Sequence, residues 1–169
     1  MAHPNLVFMG VSGCGKSTVA KIYANRGGFA YIEADEFHPP ENVAKMSAGI
    51  PLTDADRVPW LTAMSRRLAE GRARGEKMVL TCSALKKSYR DLLRAGDPDV
   101  VFVLLDGSEE LLGARIGARK GHFMPPTLLR TQLATLERPV PGQEKCLIVS
   151  IDQTPEAMAD EVARAFAGN

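Results

Sequence analysis

A glycine-rich segment at residues 10–17, Gly-Val-Ser-Gly-Cys-Gly-Lys-Ser, constrains the fold of this chain more than any other feature. It follows an apolar run at 5–9 and precedes a helical pattern that begins at Lys16. A G-x-x-x-x-G-K-[ST] pattern between a strand and a helix is typical of a phosphate-binding loop. Lys16 would reach the β- and γ-phosphates, and the Ser17 hydroxyl would bind Mg²⁺. The other positions expected to contact the nucleotide are Gly10, Ser12, Gly13, Cys14, Gly15 and Thr18.

Short apolar runs alternate with helical patterns along the whole chain, and this predicts a parallel sheet covered by helices on both faces. We expect a single α/β domain over residues 1–169, a three-layer sandwich with a five-stranded parallel sheet. The predicted strands are 5–9, 29–33, 78–82, 100–105 and 146–150. The predicted helices are 16–26, 54–74, 85–94, 109–120, 127–136 and 155–166. Proline pairs interrupt 36–53 and 119–126, so these two segments are expected to be functional excursions from the sheet.

Composition and charge exclude several classes of partner. The chain of 169 residues has 21 Lys plus Arg against 20 Asp plus Glu, so a nucleic-acid partner is not expected. The longest apolar stretch, 100–105, is far shorter than the roughly 20 residues that cross a bilayer, and the chain starts without a basic signal region. We therefore expect no membrane partner.

Three cysteines, Cys14, Cys82 and Cys146, are widely separated and form no Cys-x-x-Cys pair. This spacing indicates neither a disulfide framework nor structural zinc. Cys82 and Cys146 adjoin apolar strand residues, so we expect them to be buried in a protein of a reducing compartment, the cytoplasm.

Asp35 is the carboxylate best placed to act as a base, because it directly follows the second predicted strand. The carboxyl ends of parallel strands share one edge of the sheet, so the phosphate loop, Asp35 and Ser83 should lie together. Asp35 could take a proton from an acceptor hydroxyl, or hold a water on Mg²⁺. The alternative is an N-cap or turn residue, since Asp is common there. Glu33 and Glu36 flank Asp35, and either could be mistaken for the working acid.

Arg115 and Arg119 are four residues apart and share a helix face, which suits a polyphosphate. An arginine at this place could neutralise charge on a transferring phosphoryl group. A solvated basic helix face is the alternative interpretation. The chain has no Asn-Lys-x-Asp segment for reading guanine, and the strand at 78–82 ends without an acidic residue.

Several segments resemble gluconate kinases, a family of small P-loop kinases related to shikimate and adenylate kinases. The most specific are 35–46 and 49–61, and shorter ones are 81–86, Tyr89-Arg90 and 121–125. The resemblance implies transfer of the γ-phosphoryl group of ATP to the terminal hydroxyl of D-gluconate, with Mg²⁺ required. It also implies a homodimer, a helical acceptor-binding segment at about 36–61 and a mobile lid at about 115–126.

The resemblance further implies roles for individual residues. Lys16, Asp35 and Arg119 would be catalytic, with Asp35 as the base. One of Arg115 and Arg119 would lie against the adenine and the other would face the phosphates. Asp152 and Thr154 would border the adenine. The residues implied to bind the acceptor are Asp35, His38, Lys45, Arg57, Ser83, Lys86, Arg90 and His122.

Two alternatives remain open at this stage. A kinase for another small acceptor would share the phosphate loop, the base and the lid, although residues 36–61 argue against it. A regulatory module that binds ATP without transferring phosphate would also contain the loop. Release of ADP that depends on an acceptor distinguishes the three.

Overall fold

A computed structural model describes residues 3–118 and 126–167 of the chain. Strands and helices alternate in it as the sequence predicts. The strands are β1 (Leu6–Met9), β2 (Ala30–Glu33), β3 (Met78–Thr81), β4 (Val101–Asp106) and β5 (Cys146–Ser150). The helices are α1 (Lys16–Gly27), α2 (Pro40–Ser47), α3 (Asp54–Ala73), α4 (Lys87–Gly96), α5 (Glu109–Ala118), α6 (Pro126–Thr135) and α7 (Pro155–Ala165). A 3₁₀ turn, Ala34–Phe37, joins β2 to the segment before α2.

The five strands form one parallel sheet in the order β2-β3-β1-β4-β5. Strand β1 lies at the centre, because the chain first crosses to β2 and later returns past β1 to β4. The segments that follow β1, β2 and β3 therefore meet at one edge of the sheet, where parallel α/β folds bind ligands. The predicted α/β fold with five parallel strands is confirmed.

Alternating strand residues divide the interior into two cores. Leu6 and Phe8 of β1 face a core shared with α1, α5, α6 and α7. Val7 and Met9 face a second core shared with α3 and α4. A strand with both faces covered must be apolar throughout, which explains the continuous apolar runs in the sequence.

The start of α3 is fixed by a capping box. Thr53 Oγ1 accepts from the backbone N–H of Asp56 at 3.1 Å, and the Thr53 N–H donates to Asp56 Oδ2 at 2.9 Å. Two donors at the start of the helix are thus satisfied locally, so the boundary can be predicted from sequence alone. Thr154 caps α7 with a single side-chain hydrogen bond, by accepting from the N–H of Ala157 at 3.1 Å.

One predicted helix boundary was wrong, and one helix was not predicted from periodicity, each for a local reason. The helix predicted to begin at residue 85 begins at Lys87, because Ala84 has a φ of +45° and Lys86 is extended. Periodicity did not predict α2, in which Asn42 is the buried residue while the apolar side chains Val43 and Met46 are exposed. A helix without a buried apolar stripe has no hydrophobic period to detect.

The cysteine predictions are correct for Cys82 and incomplete for Cys146. Cys82 is buried, and burial raises the pKa of its thiol to about 12. Cys146 is only partly buried, because it begins β5 at the edge of the sheet. In the described part of the chain, no helix combines the length and apolarity that crossing a bilayer requires.

Candidate active site

Two cavities meet at the edge of the sheet where the strands end. The first, of about 340 Å³, is bordered by the phosphate loop, Arg115, Pro155 and Met158. The second, of about 500 Å³, lies between the phosphate loop and the acceptor-side segment and includes Asp35 and Arg57. Both cavities are lined by Gly13, Lys16 and Ser17. A group bound in one cavity can therefore reach a group bound in the other beside these three residues.

The phosphate loop depends on glycine at two positions. Gly10 has a φ of +140°, and a Cβ there would lie 2.9 Å from Cys14 Sγ. Gly13 has a φ of +85°, and a Cβ there would lie 2.3 Å from Cγ1 of Ile116 on α5. Any larger residue would disturb the backbone that is expected to surround the phosphates.

The Lys16 side chain folds back onto the phosphate loop. Its Nζ donates to the carbonyl oxygens of Gly10 at 2.9 Å and Val11 at 3.1 Å. The structure thus places the ammonium group at the boundary of the two cavities. Of the other positions predicted to contact the nucleotide, Thr18 lines the first cavity, whereas the Cys14 side chain is buried.

Glu33, at the end of β2, is the carboxylate that contacts Ser17. The Ser17 hydroxyl donates to Glu33 Oε2 at 3.2 Å, and the Thr81 hydroxyl donates to Oε1 at 2.9 Å. The Tyr31 hydroxyl also donates to Oε2. Three hydroxyl donors fix this carboxylate beside the predicted magnesium ligand. From the sequence, Glu33 was only a residue that could be mistaken for the working acid, although its place at a strand end was a usable signal.

Asp35 lies on the 3₁₀ turn and is exposed within the second cavity. The turn is anchored by Trp60, whose Nε1–H donates to the carbonyl oxygen of Ala34 at 2.7 Å. Trp60 is itself buried. Asp35 therefore presents its carboxylate from a rigid part of the fold.

His38 stacks on Trp60, with ring centroids 4.2 Å apart and an interplanar angle of 17°. The Asn42 side-chain amide lies 3.3 Å from His38 Nδ1, and because an amide nitrogen can only donate, Nδ1 accepts. Burial lowers the pKa of His38; the charge of Arg57 lowers it further, and Asp35 opposes them. His38 is thus a neutral hydrogen-bonding group near neutral pH.

Arg57 lines the second cavity. Its guanidinium donates to the carbonyl oxygen of Leu52 at 2.8 Å and to the Tyr89 hydroxyl at 3.4 Å, and it lies 5.5 Å from the centre of the Tyr89 ring. These contacts hold the side chain in one orientation while leaving further N–H groups available to a ligand.

Lys45 and Lys86 are engaged in ion pairs away from the described lining of the second cavity. Lys45 Nζ lies 2.9 Å from Asp56 Oδ2, and Lys86 Nζ lies 3.0 Å from Asp54 Oδ2. The backbone N–H of Thr53 and then the Lys45 ammonium lower the pKa of Asp56. The structure does not bring these two predicted acceptor ligands to Asp35, whereas Ser83 does line the second cavity.

The prediction that Arg90 binds the acceptor was wrong, because its side chain lies inside the protein. It is fully buried, and its guanidinium binds the Glu144 carboxylate at 2.9 Å (Nε–Oε1) and 3.1 Å (NH2–Oε2). The remaining donors bind the carbonyl oxygens of Ala84, Leu85 and Glu137. No donor is left for a substrate, so Arg90 has a structural role.

The predicted adenine-side residues lie near the first cavity. Arg115 lines it and donates to the carbonyl oxygens of Ile151 and Gln153, which connects α5 to the loop after β5. Thr154 is the N-cap of α7, and Asp152 is exposed on the same loop. Arg119 and His122 lie outside the described residues, as does most of the predicted lid.

A phosphate loop at the end of the central strand, followed by a helix and opposed by a second cavity that holds an exposed carboxylate, defines the class of small P-loop kinases. The sequence comparisons agree with this class. The family model described as "AAA domain" matches residues 6–139.

Known proteins identify the family within that class. A gluconokinase of Gluconobacter oxydans (strain 621H) is 51% identical, with 95% of this chain and 90% of that enzyme aligned. The crystal structure of a gluconokinase from Sinorhizobium meliloti 1021 superposes with a TM-score of 0.83 at 47% identity, covering 96% of this chain and 94% of that one. This chain belongs to the gluconokinase family.

A more distant structure shows how far the fold extends. Shikimate kinase from Bacteroides thetaiotaomicron superposes with a TM-score of 0.69 at 17% identity, covering 97% of this chain and 98% of that one. At this identity the likeness concerns the fold alone. The resemblance stated from segments 35–61 is confirmed at the level of the family.

Proposed function

We propose that this protein transfers the γ-phosphoryl group of ATP to the terminal hydroxyl of D-gluconate, forming 6-phospho-D-gluconate for sugar-acid catabolism. Membership of the gluconokinase family supports the substrate pair. The observation that carries the proposal is that one cavity lined by the phosphate loop and one containing Asp35 share Lys16 and Ser17. A phosphoryl donor and an acceptor would meet beside those two residues.

The first cavity is the proposed ATP site. The phosphates would lie on the loop at residues 10–17, with backbone N–H groups and the N-terminus of α1 directed at them. Pro155 and Met158 give this cavity an apolar wall beside Arg115, which suits a purine base. Lys16, and Arg119 by the family resemblance, would neutralise the charge that develops on the transferring group.

The residues present fit a magnesium ion. Ser17 and Glu33 place a hydroxyl and a carboxylate 3.2 Å apart beside the phosphate loop, and Mg²⁺ prefers such oxygen ligands together with nucleotide phosphates. When bound, Mg²⁺ would supply charge neutralisation for the β- and γ-phosphate oxygens. Ser17 would hold the ion directly, and Glu33 would orient the Ser17 hydroxyl and attract the ion by its charge.

Asp35 is the proposed base. The proton of the terminal gluconate hydroxyl would pass to its carboxylate as the oxygen attacks the γ-phosphorus. A new O–P bond forms, the bond between the γ-phosphorus and the β–γ bridging oxygen breaks, and ADP leaves. Exposure within the second cavity gives Asp35 access to the acceptor.

Arg57 is the proposed partner of the gluconate carboxylate. Among the cations predicted for the acceptor, Lys45, Lys86 and Arg90 are paired with carboxylates of the protein. Arg57 lines the cavity, and its planar guanidinium can donate two parallel hydrogen bonds to a carboxylate. Neutral His38 beside it would donate its Nε2–H to a hydroxyl, because Nδ1 accepts from the Asn42 amide.

The measurement that tests this function is ADP production with ATP and Mg²⁺, with and without D-gluconate. We expect turnover to depend on gluconate and to fall by about 100- to 10,000-fold in Asp35→Asn, with ATP binding retained. Glu36→Gln is the matched control, because Glu36 is an exposed carboxylate on the same 3₁₀ turn. Equal rates with and without gluconate would reject the substrate, and a fully active Asp35→Asn enzyme would reject the base.

We also propose a cytoplasmic homodimer. A cytoplasmic location is supported by the use of ATP and by the free thiols of Cys14 and Cys82, which suit a reducing compartment. The dimer rests on the family resemblance alone. Sedimentation equilibrium at micromolar concentration would distinguish a mass of twice 18.3 kDa from the monomer mass.

A further inference from the structure

The side-chain amide of Gln132 on α6 makes two hydrogen bonds to the phosphate loop, one through its oxygen and one through its nitrogen. Its Oε1 accepts from the backbone N–H of Ser12 at 2.7 Å, and its Nε2 donates to Ser12 Oγ at 3.1 Å. The two residues are 120 positions apart in the sequence. Because a backbone N–H can only donate, the orientation of the amide is fixed: the oxygen must face Ser12 N.

This contact determines where the Ser12 N–H points. In a phosphate loop, the backbone N–H groups are the groups that surround the ligand. The Ser12 N–H is instead committed to Gln132, so this side chain fixes the outer part of the loop relative to α6. Gln132 is therefore part of the structure that shapes the boundary between the two cavities.

Gln132 also lines the second cavity, together with Asp35, His38 and Arg57. A primary amide has two N–H donors and two acceptor lone pairs. Ser12 uses one of each, so one N–H and one lone pair remain. A polyhydroxy acceptor in this cavity offers hydroxyls that can both donate and accept hydrogen bonds. The remaining N–H and lone pair of the amide can bind such a hydroxyl.

We propose that Gln132 determines acceptor specificity by binding one hydroxyl of the sugar acid while it holds Ser12 of the phosphate loop. The proposal rests on the proposed gluconate kinase activity and deepens it. One side chain would thus link recognition of the acceptor to the geometry of the loop that carries the donor. An acceptor without the matching hydroxyl would leave the amide unsatisfied and would lose affinity.

The experiment compares D-gluconate with its four monodeoxy analogues at C2 to C5, in the wild-type protein and in Gln132→Met. Methionine has a similar length and keeps the packing, but it has no amide group to donate or accept these hydrogen bonds. We expect kcat/KM for gluconate to fall by at least about tenfold in the variant. For the one analogue that lacks the contacted hydroxyl, wild type and variant should differ far less, because the contact is missing in both.

A second variant separates the two contacts of the amide. Ser12→Ala removes Oγ but keeps the backbone N–H that binds Gln132 Oε1, so we expect hydroxyl discrimination to persist in it. Thr131→Ala is the matched control on α6, because Thr131 is exposed and its hydroxyl donates within its own helix, to the carbonyl oxygen of Thr127. Binding of ADP, measured by calorimetry, shows whether each variant retains its phosphate loop.

Equal losses for gluconate and all four analogues in Gln132→Met would overturn the proposal, because Gln132 would then act only on the loop. Unchanged kcat/KM in that variant would overturn it as well. Turnover of gluconate by the wild-type protein tests the proposed function separately. A wild-type protein inactive on gluconate would reject that function, whereas the comparison of variants concerns Gln132 alone.

Discussion

The Arg90 guanidinium and the Glu144 carboxylate form a buried ion pair with two parallel contacts, of 2.9 and 3.1 Å. The pair joins α4 to the segment that precedes β5. Arg90 also donates to the carbonyl oxygen of Ala84 at 2.8 Å, and Ala84 has a φ of +45°. The ion pair therefore holds an unfavourable backbone conformation directly after Ser83, which lines the acceptor cavity.

We expect Glu144→Gln to lower the free energy of unfolding by about 3–5 kcal/mol, because it leaves the buried Arg90 charge without its counter-ion. Burial alone would raise the pKa of Glu144, but hydrogen bonds from Arg90 and Arg94 outweigh it and lower the pKa, so the carboxylate is charged at neutral pH. Urea unfolding at pH 7 measures the change. Asp160→Asn, which removes an exposed ion pair with Arg26, is the control and should have a far smaller effect. Equal effects of the two substitutions would contradict the structural role of Arg90.

Glu33→Gln is expected to raise the Mg²⁺ concentration needed for half-maximal turnover by roughly tenfold at fixed ATP. The variant keeps an oxygen that can accept from Ser17 but removes the negative charge beside the proposed ion site. Titration of Mg²⁺ in the ADP-production assay gives this value. Glu36→Gln again serves as the control, since it removes one exposed carboxylate from the adjacent turn. An unchanged Mg²⁺ requirement would reject the role assigned to Glu33.

Arg57→Gln is expected to raise KM for gluconate by about 10- to 100-fold, because hydrogen bonds between charged groups are among the stronger polar contacts. KM for ATP should change little, since Arg57 lines only the second of the two cavities. Arg66→Gln removes a positive charge from an exposed position of the same helix and is the control. If both variants raise KM equally, Arg57 acts through general charge and not by contact.

The strands and the phosphate loop could be predicted from the sequence because they depend on residues that are close together in the chain. Leu6–Met9 is apolar on both faces, and the glycines of the loop adjoin it. The roles of the cations could not be predicted in this way. Lys45, Lys86 and Arg90 have the same charge as Arg57, and only the fold determines that each of the three meets a carboxylate of the protein. The contact of Gln132 with Ser12 was unpredictable for the same reason, since it joins residues 120 positions apart.

His38 should make gluconate binding depend on pH. Burial, aided by the charge of Arg57 and opposed by Asp35, lowers the pKa of His38 from 6.5, so the ring is neutral above that pH. Between pH 7 and 8.5 the His38 ring stays neutral, so the dissociation constant of gluconate should be constant there. As the pH falls through the lowered pKa, protonation adds a second positive charge beside Arg57, and gluconate should bind more tightly.

Calorimetric titration of gluconate without nucleotide, from pH 5 to 8.5, measures this dependence without interference from the ionisation of ATP. Protonated Nδ1 can no longer accept the hydrogen bond from the Asn42 amide. The loss of this hydrogen bond makes protonation of the His38 ring less favourable. His38→Gln keeps a polar side chain but cannot titrate, so its dissociation constant should not fall at low pH. Weaker binding of gluconate by the wild-type protein at low pH would contradict the prediction, because the added positive charge near Arg57 would then not stabilise the bound anion. A pH dependence that persists in His38→Gln would assign the titration to another group.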